Sequence, residues 1–588
     1  MFRKKKTVLG VSAAASAALL LSACGGSGSN GSSAGVGFED CDENPTTCNS
    51  GEAFDGEELV WGLDSGWASW SEVHGAYGQS AGDVLEPVAP RIGYFDQNAD
   101  FHYNTHILTQ EPELINEDPM QVQYHLNPEG TWGDGTPIGL DDFIYNWYAW
   151  SGNEDFCDEQ CEPRSLGWGP HVEDITEGEE DNTIVISYNE GYQTPEWMVA
   201  TVLTNPAHLA EEYGFEDWKT DPEVMGESLV NFVNTVPEYT AGPYKIVDAD
   251  MGDYVSYEIN EEYAGDVQPT LSNIRMEVFS DTSAIITELR QGTIHGATPG
   301  RFDPDDISTL DGVDGIRYNV AAGPGWSHFD LNTESRFLSD VELRKAVLTA
   351  VDIEEILNRT TRLTQEDAER ALNHFFRNDD PDYFVDLYEG STQGTGDVEA
   401  ARAILEEAGY TWEGDTLTTE DGDAVELEYR LPAEGDNAQT TAELFQAYLS
   451  EIGIDVSLSS FADGELTEVL MEQQFDVVSF QWIGSPTFAT GPTQLFSGGS
   501  GSNFGGWAND DFDELAAQVL STTDVDEAAG YANEAGKILV EEGAYVLPIA
   551  ASPALILISE DLVNVRDNWA SQQRGVYNIA EWGWAEEG

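Results

Sequence analysis

Residues 121–150, QVQYHLNPEGTWGDGTPIGLDDFIYNWYAW, constrain the fold more than any other part of this chain. Val122, Tyr124 and Leu126 alternate with polar residues, the pattern of a strand with one buried face. Asp134-Gly135 marks a turn, and Thr136-Pro137 leads into a helix. Asp141 is the expected N-cap of that helix, and Phe143, Ile144 and Trp147 form its buried stripe. This is a scaffold element, and nothing in it is built for catalysis.

The N-terminus speaks to compartment. Arg3 and Lys4 to Lys6 precede an apolar run from Thr7 to Leu20 that is too short to span a membrane with its flanks. Leu21-Ser22-Ala23-Cys24 resembles a bacterial lipobox, which implies cleavage before Cys24 and a lipid on its thiol. Residues 1–23 are therefore read as a lipoprotein signal peptide; an uncleaved signal anchor is the alternative. The run GGSGSNGSSAGVG that follows has linker composition, so residues 24–53 are expected to form a flexible tether. The folded body would then sit outside the cytoplasm, held to the outer face of the cell membrane through its N-terminal lipid.

A formal charge of -86 over 588 residues would suggest disorder, but 40% hydrophobic and 11% aromatic content with regular periodicity argues for a folded chain of two lobes or more. The acidity runs along the whole sequence. After the N-terminal segment only Lys219, Lys245, Lys345 and Lys537 remain as lysines, so the surface is carboxylate-rich nearly everywhere. Such a surface stays hydrated at high ionic strength, where screening removes its self-repulsion, and a salt-adapted source is expected. Nucleic acid and anionic membrane surfaces are excluded as partners by the same charge.

With Cys24 assigned to lipid, Cys41, Cys48, Cys157 and Cys161 remain, an even number in acidic turn-rich stretches outside the cytoplasm. Of three connectivities the local one, Cys41 with Cys48 and Cys157 with Cys161, is expected. A zinc site is the competing reading, although the spacings match no common finger or ribbon.

Several further segments have clear local signatures. Glu58 to Leu63 reads as a first strand, followed by the aromatic loop Trp67 to Trp70. Thr183 to Tyr188 alternates, Gly242-Pro243-Tyr244 opens a hairpin that turns at Met251-Gly252-Asp253, and Thr282 to Gly292 is helical with Ile285, Ile286 and Leu289 on one face. Ser339 and Glu342 read as a capping box for a helix through Ala350. Asp397 caps another ended by Gly409, and Ala438 to Ile452 is stopped by Gly453. Strands at Val425 to Leu431, Ile454 to Leu458 and Phe475 to Trp482 alternate with these helices, an α/β arrangement.

In this order, the 121–150 stretch, the Gly-Pro-Tyr hairpin and the segment WSHFDLNTESRFLSDVELRKAVLTAVDIEEIL resemble solute-binding protein family 5, the oligopeptide- and dipeptide-binding proteins of ABC importers. The resemblance implies an α/β, two-lobed clamp of the periplasmic-binding-protein type II kind (large cluster C type), with an inserted subdomain in the first lobe. Lobe I is expected over 54–325 with the insert at about 86–182, lobe II over 326–547, and a return to lobe I over 548–588. It also implies a monomer without cofactor that captures a peptide or other small polar ligand and is read by an ABC permease of the inner membrane.

Clefts of such clamps combine aromatic walls with a few polar anchors. Trp67, Trp70, Trp326, Trp482 and Trp507 are candidate walls, and Ser485, Thr487, Thr490 and Asn503 candidate hydrogen-bonding groups. Each Trp has an equal claim as core. The chain departs from the peptide binders at one place: the family's Trp is followed three residues later by an Asp that pairs with a peptide ammonium, and here Trp482 is followed by Ser485. A hydroxyl does not replace a buried carboxylate against an amine. A glycan- or glycolipid-binding lipoprotein of the same fold, with a role in cell-envelope glycolipid handling, is therefore the alternative. A lipoprotein that keeps the fold without transport is a third.

No enzyme is expected. His102 and His106 have metal-like spacing but lack the helical stripe and acidic base of a zincin, and no serine elbow is present. Asp303 to Asp306 and Asn378 to Asp382 lack the glycine and terminal glutamate of a calcium loop and read as solvated acidic turns.

Overall fold

A single ten-stranded sheet runs through both lobes of the computed structural model, which describes residues 37–41, 43–75, 78–165, 167–433, 435–462, 465–484 and 486–586. In spatial order its strands are Asp455–Phe461, Glu426–Pro432, Val477–Ile483, Ile316–Leu331, Val546–Ser559, Gly296–Ala297, Leu59–Leu63, Asn273–Val278, Tyr254–Ile259 and Tyr244–Asp250. The first three belong to lobe II and the last five to lobe I. The two long strands between them, Ile316–Leu331 and Val546–Ser559, are antiparallel neighbours and extend into both lobes.

Their ladder is interrupted between Ala322 paired with Pro553 and Trp326 paired with Ala551. The intervening Gly323-Pro324-Gly325 explains the break, since proline donates no ladder hydrogen bond and a Cβ at Gly323 would come within 2.7 Å of the Ala554 Cβ. Each lobe builds its own apolar core around its half of the sheet. Phe329, Leu343, Val347, Leu427 and Phe445 meet in lobe II, and Leu59, Trp61, Tyr257, Ile274 and Trp582 in lobe I.

The inserted subdomain has a separate antiparallel sheet in the order Glu113–Glu117, Met120–His125, Thr183–Tyr188, Val172–Glu177. Thr183–Tyr188 is interior to it, and Met225, Leu229 and Phe232 of the helix Pro222–Asn234 fill the same core. The insert thus continues beyond residue 182, because Ile184 and Ile186 bury against Val122 and Tyr124 and not against lobe I.

Two caps and one linker also differ from the sequence reading. The helix Leu140–Trp150 starts at Gly139, with the Asp142 carboxylate accepting the Gly139 and Ala207 N–H groups at 2.9 Å each; Asp141 instead pairs with Lys219. The helix Val341–Ala350 is capped by Asp340, which accepts from Glu342 N, in place of Ser339. Acidic side chains one position away from the expected cap compete successfully because their oxygens reach the same exposed amides. The end of the expected tether is packed: Phe38 and Cys48 are buried, and the Asn49 amide donates to Val565 O at 2.8 Å. Disulfides join Cys41 to Cys48 and Cys157 to Cys161. Cys24 lies outside the described residues, among which no helix is long and apolar enough to cross a membrane.

Candidate ligand cleft between the lobes

At the lobe II end of the interrupted ladder, Trp326 lies directly across from Trp482, and His328 from Phe480. Alternation along the strands places these four side chains on one face. Trp482 stacks on Phe504 with centroids 5.6 Å apart and planes 12° from parallel, and Phe480 meets Trp482 edge-on at 5.1 Å. Trp326, Trp482 and Phe504 are only half-buried, so they form an aromatic shelf next to the hinge.

A cavity of about 280 Å³ opens between the lobes, walled by residues other than the shelf. Lobe I contributes Gln97 to Ala99 and Trp569; lobe II contributes Phe375 to Arg377, Asp379 to Asp382 and Pro486. Arg377 connects the two sides. Its guanidinium lies 4.3 Å from the Trp569 ring centroid, forks onto Asp379 at 2.9 and 3.1 Å, and donates to the carbonyl of Gly323 in the interrupted ladder at 3.2 Å. Such a planar cation both stacks and binds carboxylates bidentately, which lysine does not.

The insert touches lobe II as well. Gln193 N donates to Leu520 O at 3.1 Å, and Ala489 N donates to the Glu196 carboxylate at 2.7 Å. Burial pushes the Glu196 carboxyl above its ordinary range, partly opposed by the amides of Ala489 and Phe488. Thr490 is in the same contact, its methyl 3.8 Å from where a Cβ of Gly167 would stand. Thr487 is half-buried in that loop.

Beneath the shelf lies a buried polar group. Neither ring nitrogen of His328 has a hydrogen-bond partner, and desolvation lowers its pKa to about 3. Asp330, whose nearest oxygen is 3.9 Å from His328 Nε2, is raised by burial to about 8. His374, lowered by burial to about 4, meets the Tyr388 hydroxyl at 3.2 Å. All three are neutral near pH 7.

Of the residues singled out in the sequence, Trp326 and Trp482 come together at the cleft. Trp67 and Trp70, expected as wall residues, lie instead in the core: they pack edge-to-face at 5.4 Å inside lobe I. Trp507 is buried against Phe512 and Tyr545. Asn503 is a loop brace, its amide donating to Phe496 O, Ser497 O and Trp507 O while its oxygen accepts from the Tyr545 hydroxyl. These four therefore leave the wall and anchor set, since burial removes the three tryptophans from ligand and Asn503 spends its amide on its own loop. Ser485 lies outside the described residues. Arg377, Trp569, Phe504 and Glu196 were not singled out. The one available signal was an arginine in FFRNDDPD, in a chain where cations are scarce.

Among the described residues no cluster of three or more His, Cys, Asp or Glu fits a metal. His102 pairs with Asp96, whereas His106 accepts Ala264 N at 3.0 Å and meets Thr131 O at 2.8 Å. Asp476 accepts the Glu428 amide at 2.7 Å.

Two α/β lobes on one bent sheet with a cleft between them define a clamp of the periplasmic-binding-protein type II fold. The model of the bacterial extracellular solute-binding proteins, family 5, matches residues 106–504, and the chain belongs to that family. It is thus a solute-binding component of an ABC importer and not an enzyme. The oligopeptide-binding protein OppA of Mycobacterium tuberculosis is 25% identical over 460 residues, covering 77% of this chain and 72% of the relative. OppA of Bacillus subtilis is 23% identical over 426 residues, covering 71% and 74%. Among solved structures, the periplasmic EDTA-binding protein EppA superposes with a TM-score of 0.84 at 26% identity, over 92% of this chain and 99% of that one. An oligopeptide-binding protein of B. subtilis, AppA, in complex with a nonapeptide has the same fold, with a TM-score of 0.69 at 16% identity, over 91% of this chain and 100% of that one.

Proposed function

We propose that the protein is a lipid-anchored receptor that captures peptides, or a similar polar oligomer, between its lobes by hinge closure and presents them to an ABC permease of the inner membrane. The observation that carries this reading is the cleft, with the Trp326, Trp482 and Phe504 shelf on one side and Arg377 stacked on Trp569 across the lobes. The shelf takes apolar side chains, and Arg377 takes a carboxylate if Asp379 releases it. The oligopeptide-binding relatives favour peptides, and the EDTA-binding neighbour makes polycarboxylates the natural comparison ligand. Closure bends the two strands Ile316–Leu331 and Val546–Ser559 at Gly323-Pro324-Gly325, where their ladder is already open. Monomeric action and anchoring through Cys24 belong to the same proposal.

The second reading, a glycan or glycolipid, is favoured by the near-parallel Trp482 and Phe504 rings, which present a face suited to a sugar. Mass spectrometry of whatever denaturation releases from natively purified protein decides between them. A family of short peptides supports the first reading, whereas a single glycan or glycolipid species replaces it with the second.

A further inference from the structure

Lobe I holds a second cavity, of about 390 Å³, that the interlobe ligand does not require. Three separate segments wall it, residues 86–111, 242–267 and 577–581, all of them in lobe I. It therefore persists whether the lobes are apart or together. Its floor and sides are aromatic. Tyr94 stacks on His102 at 5.2 Å with planes 22° apart and meets Tyr577 at 5.7 Å, and Phe101 and Tyr263 complete the lining.

Tyr94 is 39% exposed and Val267 is 46% exposed; both are large apolar side chains that remain uncovered, and both face this one cavity. The charges around it are unequal. The basic side chains in the wall are both engaged, Arg91 with Glu72 and Glu86 and His102 with Asp96, and Glu581 is held by Arg566. Glu111 and Asp266 line the cavity, exposed, with no ion pair among the described residues. Burial, followed by the fields of Glu581 and Asp96, pushes the Tyr94 hydroxyl up to about 12, consistent with a negative interior.

We propose that this cavity is a binding site, distinct from the interlobe cleft, for a small organic ammonium ion seated against Tyr94 and neutralised by Glu111 and Asp266. Ring faces attract an alkylated ammonium through their quadrupoles, and carboxylates at the rim supply the countercharge. Electron-rich rings with unpaired carboxylates disfavour anions by the same field. A strictly inorganic cation would gain little from the rings, and a neutral apolar molecule would gain nothing from the carboxylates.

The site also adjoins the cleft. The strands Gly93–Phe95 and Phe101–Tyr103 form a hairpin whose stem carries Tyr94 and His102 into this cavity, while its tip, Gln97 to Ala99, lines the interlobe one. Gln97 donates to the Tyr577 hydroxyl at 2.9 Å, so the two cavities share a wall.

The test is calorimetric titration of the full-length protein with choline and, separately, with its neutral isostere 3,3-dimethyl-1-butanol, at low ionic strength. The expected result is saturable choline binding, at least tenfold weaker binding of the isostere, and at least a tenfold loss in Tyr94→Ala. The double variant Glu111→Gln, Asp266→Asn, which alters only exposed groups, should lose at least tenfold as well. Trp482→Ala should bind choline unchanged, which separates this site from the cleft. Absence of saturable choline binding, equal affinity for the neutral isostere, or full affinity in both the Tyr94 and the carboxylate variants would overturn the proposal.

Discussion

Glu196 of the inserted subdomain accepts the Ala489 amide of lobe II at 2.7 Å, a buried carboxyl bonded across the gap between lobes. Separating the lobes would break that bond and hydrate the carboxylate. The pKa is therefore raised in the closed form relative to the open one, so protonation favours closure, and that contribution is lost as pH rises through the closed-form value. Glu196→Gln keeps an acceptor for Ala489 without the charge. Ligand affinity at neutral pH should rise in this variant, and the loss of affinity that accompanies rising pH should flatten. Titrations at several pH values check both, and an unaltered pH profile refutes the role.

Trp482 rests on Phe504 and stays half-buried, whereas Phe329 of the neighbouring strand is wholly enclosed. Trp482→Ala should abolish ligand-induced closure while lowering Tm by no more than about 2–4 °C. Phe329→Ala should cost about 3–5 kcal/mol of stability. Scattering with and without ligand, alongside thermal unfolding, separates the two; a collapsed Trp482→Ala variant would reassign that residue to the core.

Arg377 holds Asp379 and the Gly323 carbonyl in lobe II while stacking on Trp569 of lobe I. Trp569→Ala removes the stacking partner without disturbing the fork. It should weaken ligand binding by about fivefold through a less stable closed form, consistent with ~1 kcal/mol for a partly exposed cation on a ring. Fluorescence titration reads it, and unchanged affinity would show the stack to be incidental.

Asp330 carries a proton well above the usual carboxylate range, to about 8, because burial disfavours its charge. A raised folded-state pKa contributes stability at low pH that is lost from about pH 4 up to about pH 8, at roughly 1.4 kcal/mol per unit. Asp330→Asn should remove that decline and be more stable than the parent above pH 8. Chemical denaturation across this range checks it; parallel curves for the two proteins would contradict the assignment.

A net charge of -86 with few lysines makes self-repulsion large at low salt. Tm should climb steadily as KCl or NaCl screens it, and a flat response would sink the salt-adaptation account.

Much of the architecture was legible because strands and helices bury one face with a fixed period. Ile285, Ile286 and Leu289 announced their helix, and Val456 with its alternating neighbours its strand. Caps were less legible: Asp340 and Ser339, or Asp141 and Asp142, differ by one position in an acidic background where many oxygens can reach an amide. The cleft was only partly readable. Trp482 and Trp326 sit in recognisable strands, but Trp67 and Trp507 are identical in composition and lie in cores. What distinguishes them is which face of a sheet meets the other lobe, a property of long-range pairing. Arg377 and Trp569 are 192 residues apart, and only the fold brings them within 4.3 Å.

The strand Val546–Ser559 has a consequence for how the molecule is made. It lies between Ile316–Leu331 and Gly296–Ala297, so that both halves of the sheet remain open until it is in place. During synthesis neither lobe can finish before nearly the whole polypeptide has emerged. A chain with this topology leaves its main sheet unfinished until the last-made strand of that sheet is in place. Cutting it at the hinge would release no autonomous lobe.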